Sequence, residues 1–484
     1  MPPSRFRSNQ TREKMKMIAA VCWIPKGAFK NVRFATEEEI NEALKAVIAS
    51  DESSADSDYD DDDDMDDIAD GDQEEDGDLQ TEGVTNALSK DKPEDSSLDD
   101  IDAAMHKLKM HCYDNDEEGK GDLYYSSNDM DPYLKNDDMD DYEDDEEIED
   151  GTVKPNELII AGLHAHKKHS GNYLKVSIVE ELMDGELCTG WSNHKIGLAH
   201  TPLCLAWSDC SLKDDQKGNF MAVGTISTEI QIWDLDIVDA VTPHTVLGGK
   251  VHKERKRKKG SHKDSILGIA WNKEYMNILA SASADKTVKI WDVAASKCVT
   301  TLKHHDDKVQ VVSWSQHSPE IILSGSFDKS VALKDVKNCA SDCIRWSVEA
   351  DVETVAWDPH NEHSFVVSLE NGMVQAFDKR KSSSNDRSSS SALFTLHAHE
   401  KAVTSISFGP SAPNFLATSS YDKTVKLWDI SSNQPSCIAS LNPKLGVIFS
   451  VSFSNDEPFL LAMGGSKGKI KVNFEYIGPK ISGQ

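Results

Sequence analysis

The side chains best suited to chemistry are two adjacent histidines followed by two aspartates, His304, His305, Asp306 and Asp307. Imidazole and carboxylate groups can bind a metal ion or act as a general base. However, the sequence has no GxxxxGKS/T, GxSxG or HExxH motif and no paired CxxC sequences, and its nine cysteines are scattered. We therefore predict a protein that is not an enzyme and has no catalytic residue, no metal site, no cofactor and no small-molecule substrate.

A dense cluster of basic residues is the second candidate site. This basic loop, residues 250–263, contains Lys250, Lys253, Arg255, Lys256, Arg257, Lys258, Lys259 and Lys263. Such a cluster is typical of a nuclear import signal or of a patch that contacts phosphate groups, and the alternative is a solvated loop without a partner. Because no aromatic residue is interleaved to stack on bases, we expect any RNA contact to be with the backbone, salt-sensitive and weakly sequence-specific.

The net charge of −32 belongs almost entirely to one segment of the chain. Residues 51–150 contain 42 acidic and 6 basic residues, whereas the remainder contains 42 acidic and 46 basic residues. Charge repulsion and scarce apolar residues predict that residues 51–154 form an acidic, largely disordered insertion. This acidic insertion could bind basic proteins, imitate nucleic acid or screen the basic loop.

The acidic insertion contains two kinds of candidate site. Candidate phosphosites precede a run of aspartates and resemble substrates of acid-directed kinases; they are Ser53, Ser54 and Ser57. A tyrosine-rich stretch is a candidate docking peptide for a partner, and a solvated tail with incidental apolar residues is the alternative. The residues of this peptide are Tyr124, Tyr125, Asp131, Pro132 and Tyr133.

The chain before the acidic insertion contains three predicted elements. Residues 1–16 are basic and polar, which indicates a flexible N-terminus. Residues 17–25 have the composition of a strand and include Trp23. Residues 36–50 predict an amphipathic helix, because Thr36 and Glu39 have capping-box spacing and apolar residues recur on one face.

From residue 155 to residue 475, a pattern of short strands recurs. The aspartates that end the third strand of successive copies are 58, 43, 43 and 51 residues apart, and 43 residues is the length of a four-stranded propeller blade. The first strand of each copy ends in an aromatic residue, at Trp207, Trp271, Trp314, Trp357, Phe408 and Phe453. A seventh copy lacks a first strand, which residues 17–25 can supply. We therefore predict an all-β, seven-bladed propeller whose first blade is split by the acidic insertion. The outer strand of the last blade is not evident, and residues 476–484 are a C-terminal tail.

This pattern resembles the WD40 β-propeller family. In that family, a histidine, a strand serine, a turn aspartate and a tryptophan form a hydrogen-bonded chain, and three copies here have the histidine nine residues before the first aromatic. His304 and His305 occupy this ordinary position, so the resemblance implies a structural role for them, although Lys334 replaces the tryptophan in that copy. The structural positions assigned by the resemblance are Trp23, Trp207, Trp233, His262, Asp285, Trp291, His305, Asp328, His399, Asp422 and Trp428.

Within WD40 proteins, the chain resembles the periodic tryptophan protein 1 family. The likeness is carried by MIAAVCWIPKG at residues 17–27, YSSNDMDPY at 125–133 and GNFMAVGTISTEIQIWDLDIVDA at 218–240. It implies a scaffold of the nucleus and nucleolus that assists large-subunit assembly and ribosomal RNA processing through ribosome-assembly proteins and precursor RNA in pre-60S particles. The alternative is a histone- or chromatin-binding protein that regulates transcription of ribosomal RNA genes. No stretch is apolar enough to suggest a membrane partner.

Overall fold

Seven antiparallel sheets arranged as blades around a central channel make up the fold. The computed structural model describes residues 16–29, 32–36, 38–42, 153–166, 171–181, 187–190, 194–210, 218–250, 257–338, 343–381 and 392–474. Each blade packs through its first strand against the first strands of its two neighbours, and the contacts run around the complete ring. The prediction of an all-β, seven-bladed propeller is therefore confirmed.

The strands of each blade follow one another from the channel outwards, except in blade 1, where the last two both pair with β4. Blade 1 contains β1 (Lys16–Ile24), β3 (Leu158–His166), β4 (Asn172–Glu181), β5 (Leu187–Thr189) and β6 (Lys195–Leu198). Blade 2 contains β7 (Pro202–Ser208), β8 (Phe220–Thr225), β9 (Glu229–Asp234) and β11 (Thr245–Gly248). Blade 3 contains β12 (Ile266–Trp271), β13 (Ile278–Ser283), β14 (Val288–Asp292) and β15 (Lys297–Leu302).

The remaining blades repeat this arrangement. Blade 4 contains β16 (Val309–Trp314), β17 (Ile321–Ser326), β18 (Ser330–Asp335) and β19 (Ile344–Ser347). Blade 5 contains β20 (Val352–Trp357), β21 (Ser364–Leu369), β22 (Met373–Asp378) and β23 (Phe394–His397). Blade 6 contains β24 (Val403–Phe408), β25 (Phe415–Ser420), β26 (Val425–Asp429) and β27 (Ser436–Leu441). Blade 7, as far as the structure describes it, contains β28 (Ile448–Phe453), β29 (Leu460–Gly465) and β30 (Ile470–Phe474).

The burial of the strands explains their sequences. The second strands, such as β8 and β25, are buried along their whole length and consist of apolar and small residues. The outer strand β15 alternates between exposed and less exposed residues, because one of its faces meets water. Some of the tryptophans at the ends of first strands join neighbouring blades; for example, Trp314 Nε1 donates to Ala270 O at 3.1 Å. The apolar core thus lies between blades.

The first blade is built from two distant parts of the chain. Strand β1 pairs antiparallel with β3, and Trp23 lies opposite Ile160. The same strand joins the first blade to the last, since Trp23 Nε1 donates to Ser452 O at 2.9 Å and Val21 N donates to Ser450 Oγ at 3.2 Å. The ring is therefore closed by residues from near the N-terminus.

A short segment after β1 is fixed on blade 2. Strand β2 (Arg33–Phe34) pairs in parallel with β10 (Ile237–Val238), and residues 38–42 are helical. Both hydrogen bonds of the predicted capping box are present: Thr36 N donates to Glu39 Oε2 at 2.9 Å, and Glu39 N donates to Thr36 Oγ1 at 3.3 Å. Two hydrogen bonds from Arg33 hold the pKa of Glu39 down, at about 2. The rest of the helix predicted over 36–50 lies outside the described residues.

Candidate functional site

A histidine-centred network of buried hydrogen bonds fixes blade 3. The loop before β12 provides His262, whose Nδ1 lies 2.9 Å from Asp285 Oδ2 and whose Nε2 lies 2.7 Å from Ser281 Oγ. Trp291 Nε1 donates to the same Ser281 hydroxyl at 2.8 Å. Because an indole nitrogen can only donate, the donors run in one direction, from tryptophan to serine to histidine to aspartate.

This direction requires a neutral imidazole. Burial lowers the pKa of His262, and the opposing effect of Asp285 does not restore it. Burial by itself would raise the pKa of Asp285, but hydrogen bonds from His262, Thr287 and the Lys263 N–H outweigh burial and hold this pKa below its usual range. The pair is therefore a neutral histidine donating to a carboxylate, and its function is to fix the loop and the turn.

Blade 6 has the same network with one conservative change. His399 Nδ1 lies 2.8 Å from Asp422 Oδ2, and His399 Nε2 lies 2.8 Å from Thr418 Oγ1. Trp428 Nε1 donates to this threonine hydroxyl at 3.0 Å. A threonine therefore takes the place of the serine without loss of any hydrogen bond.

Blade 4 lacks the tryptophan of the network, and a second histidine contacts its serine instead. His305 contacts Asp328 and Ser324 at 2.8 and 2.9 Å, and Lys334 stands where the tryptophan would donate. A second histidine fills that position, since His304 Nε2 lies 2.8 Å from Ser324 Oγ. His305 Nε2 accepts the hydroxyl hydrogen of Ser324, because its Nδ1 carries the hydrogen that is donated to Asp328. His304 Nε2 must therefore donate its own hydrogen to the Ser324 oxygen. Both histidines therefore contact Ser324 in this blade. The sequence did not predict the contact of His304, because this contact depends on the path of the loop.

The tryptophans assigned as structural positions have different environments. Trp207 Nε1 donates to Asn219 Oδ1 at 2.8 Å. Trp233 is buried, and its Nε1 has no hydrogen-bond partner among the described residues. Within the described structure, this tryptophan contributes by packing.

Neither metal ligation nor membrane insertion is indicated by the described part of the chain. Among those residues, no group of three His, Cys, Asp or Glu side chains is placed to hold a metal ion. No helix within the same ranges is long and apolar enough to cross a membrane.

The basic loop has a fixed base on blade 3. Lys250 pairs with Arg257 in an isolated bridge, Lys258 N donates to Gly249 O at 2.9 Å, and Ser261 Oγ donates to backbone carbonyls of the same turn. Lys263 N donates to Asp285 Oδ2, so the loop ends on the histidine network. The described basic side chains are all exposed, and none forms an ion pair with a described carboxylate; they are Lys250, Arg257, Lys258, Lys259 and Lys263.

Several predicted site residues lie outside the described residues and stay predictions. They are Lys253, Arg255 and Lys256 of the basic loop, the candidate phosphosites Ser53, Ser54 and Ser57, and the docking peptide with Tyr124, Tyr125, Asp131, Pro132 and Tyr133.

The channel is a further candidate site that sequence reasoning missed. It has a volume of about 550 Å³ and is lined by residues of the first strands of the blades. Glu353 of β20 faces it, together with Tyr421 from the turn after β25 and Phe449 of β28. A comparison of the second residue of every first strand would have singled out Glu353, because none of the other blades has a charged residue at this position.

The relatives of the chain agree with this architecture. The family model for the WD domain, G-beta repeat, matches residues 254–292, 296–333 and 390–429, which include the histidine networks of blades 3, 4 and 6. An uncharacterized WD repeat-containing protein of Schizosaccharomyces pombe is 36% identical over 398 residues, which cover 77% of this chain and 74% of that protein. The chain therefore belongs to the WD40-repeat β-propeller family.

Within that family, its relatives include periodic tryptophan protein 1. The periodic tryptophan protein 1 homolog of Drosophila melanogaster is 26% identical over 322 residues, covering 66% of this chain and 67% of the homolog. Periodic tryptophan protein 1 of Saccharomyces cerevisiae is 27% identical over 291 residues, covering 54% of this chain and 50% of the yeast protein.

Proposed function

We propose that this protein is a non-enzymatic scaffold of ribosome biogenesis in the nucleolus. It assists assembly of the large subunit and processing of ribosomal RNA through contacts with assembly proteins and with the RNA backbone. The resemblance to periodic tryptophan protein 1 supports a role in ribosome biogenesis. A scaffold without catalytic activity is supported by the fold, since WD40 propellers are typically such scaffolds. The direct observation behind the RNA contact is the basic loop, whose described cations are exposed and have no carboxylate partner among the described residues.

The fixed base of the basic loop matters for this function. A lysine that is held on a rigid turn loses less conformational entropy when it meets a phosphate than one on a flexible chain. Lys258 and Lys263 lie at such fixed positions, because their backbone amides are bonded to Gly249 and Asp285. We therefore expect the described part of the loop to contribute to phosphate binding as well as its tip.

The experiment follows the tagged protein on sucrose gradients and maps its RNA crosslinks by sequencing. We expect co-sedimentation with large-subunit precursors, release by ribonuclease and crosslinks from the basic loop. A protein that stays on chromatin after ribonuclease and never sediments with precursor particles would contradict the proposal and favour the chromatin alternative.

A matched pair of variants tests the role of the loop. Substitution of Lys258, Lys259 and Lys263 by Gln should lower the slope of log affinity against log salt by about 2 for a single-stranded RNA of 30 nucleotides, at roughly 0.7 per lost phosphate contact. The control substitutes three exposed lysines elsewhere, Lys273, Lys297 and Lys381. Equal losses in both variants would show nonspecific attraction. If the loop variant binds RNA normally but leaves the nucleus, the loop acts as an import signal instead.

A further inference from the structure

A repeated irregularity of the first strands supplies part of the lining of the channel, and we call the residues at this irregularity the channel mouth. In six blades, the second residue of the first strand is a β-bulge between two regular pairs, as Glu353 is between Val352 and Thr354. A bulge turns a side chain away from the alternation of the strand, and here these side chains line the channel. The bulge residues are Leu203, Leu267, Gln310, Glu353, Thr404 and Phe449, and blade 1 contributes Ala19 and Ala20.

Glu353 is the single charged residue among these channel positions. Its carboxylate forms no ion pair and no side-chain hydrogen bond with the described residues. Burial, followed by the neighbouring carboxylates Glu370 and Asp351, raises its pKa to about 7. A raised pKa of this kind is typical of a partly buried carboxylate that has no cation beside it.

An aromatic pair lies beside this carboxylate. Tyr421 and Phe449 meet edge to face, with ring centroids 5.8 Å apart, and both line the channel. Tyr421 is 43% exposed, so part of its ring is free to contact a ligand. Glu353 and Tyr421 both line the channel, and the charge of Glu353 contributes, after burial, to the raised pKa of Tyr421.

The residues around Glu353 indicate which kind of ligand the channel mouth favours. Three carboxylates, Glu353, Glu370 and Asp351, repel phosphate, so RNA is disfavoured here. A guanidinium group is planar, always charged, stacks on aromatic rings and donates two parallel hydrogen bonds to a carboxylate. The apolar side chains of Leu203 and Leu267 suit apolar residues next to such a group.

We propose that the channel mouth binds an arginine side chain of a partner protein, with Glu353 accepting its hydrogen bonds and Tyr421 and Phe449 stacking on it. This inference rests on the proposed scaffold function and specifies one of its protein contacts. It can fail independently, because peptide binding in solution does not require ribosome precursors.

The test uses fluorescence polarisation with the full-length protein and a labelled nonapeptide that has a central arginine flanked by leucine and alanine. The comparison peptide has citrulline, which is the neutral isostere of arginine. We expect the arginine peptide to bind at least about tenfold more tightly, as expected for a hydrogen-bonded charge pair. This ratio should fall to near one in Glu353→Gln and stay unchanged in Glu349→Gln, which removes an exposed carboxylate outside the channel lining.

Other outcomes would overturn the proposal. Equal affinities for arginine and citrulline, or equal affinities for arginine and lysine peptides, would remove the guanidinium from the argument. Displacement of the peptide by a 15-nucleotide uridine RNA would indicate an RNA site. Binding that appears only when Arg5, Arg7 and Arg12 are all changed to Gln would show that the protein's own N-terminal residues occupy the mouth. Near-ultraviolet circular dichroism establishes that Glu353→Gln is folded.

Discussion

Replacing Glu353 by Gln should stabilise the protein at alkaline pH and leave it unchanged in acid. The pKa of this group rises from 4.5 to about 7 on folding, because burial and the carboxylates of Glu370 and Asp351 disfavour its charge. Below about pH 4.5 the side chain is neutral in both the folded and the unfolded chain and contributes nothing. As the pH rises to 7, the unfolded chain ionises first, so the folded state loses stability; above 7 the penalty is complete.

The magnitude follows from the size of the pKa change. A change of about 2.5 pH units corresponds to about 3.4 kcal/mol for a fully buried group. Because Glu353 is partly exposed to the channel, solvent screening reduces this figure, and we expect about 1–2 kcal/mol. The glutamine side chain has nearly the same shape and carries no charge, so the gain should appear as an increase in the free energy of unfolding at about pH 8.

Denaturant unfolding of both proteins between about pH 5 and pH 8 measures the difference. The control is Glu349→Gln, which removes an exposed carboxylate just before the same strand, and we expect a smaller change in stability than for Glu353→Gln. A Glu353→Gln variant that is less stable at pH 8, or whose difference is constant across the range, would refute the assignment of an unpaired carboxylate.

Two further predictions concern the histidine networks and one concerns the closure of the ring, and all three are measured by denaturant unfolding. His262→Ala should cost about 3 kcal/mol, because it leaves a cavity and buried polar groups without partners, whereas the exposed His317→Ala should cost under about 0.5 kcal/mol. His304→Ala should cost about 1–2 kcal/mol if His304 donates to Ser324, and no change would refute that bond. Trp23→Phe should cost about 1–2 kcal/mol by removing the bond to Ser452, and a shift no larger than that of Trp233→Phe, which has no such bond to lose, would contradict this.

The repeated sequence pattern predicted most of the fold. The first strand that was expected to end at Trp271 is β12, and the displaced strand that includes Trp23 pairs with β3. Such strands are predictable because each has a local signature of alternating or continuous apolar residues bounded by turns. The split blade was predictable because a blade without a first strand cannot bury the face of its second.

The channel mouth was not predictable for a physical reason. Side chains alternate between the two faces of a regular strand, but a bulge shifts this alternation by one residue. Whether Glu353 lines the channel therefore depends on the bulge, which has no signature in a single strand. The contact of His304 with Ser324 was hidden similarly, because it links a loop to a strand 20 residues later.

Blade 5 shows how a departure from the repeat can create a site. Its described residues form no histidine–aspartate network, and its turn contains Glu370 and then Gly372. The positive φ of 86° at Gly372 brings this glycine against the His399 backbone, where a Cβ atom would not fit. Packing replaces the network, since the rings of Trp346 and Phe365 meet edge to face at 5.0 Å. Because aromatic packing stabilises this blade, the residue types of the WD40 repeat are not required at its turn or at its bulge. The unpaired carboxylate of Glu353 thus lies in a blade that does not depend on the network, and its cost in stability is an argument for a ligand that neutralises it.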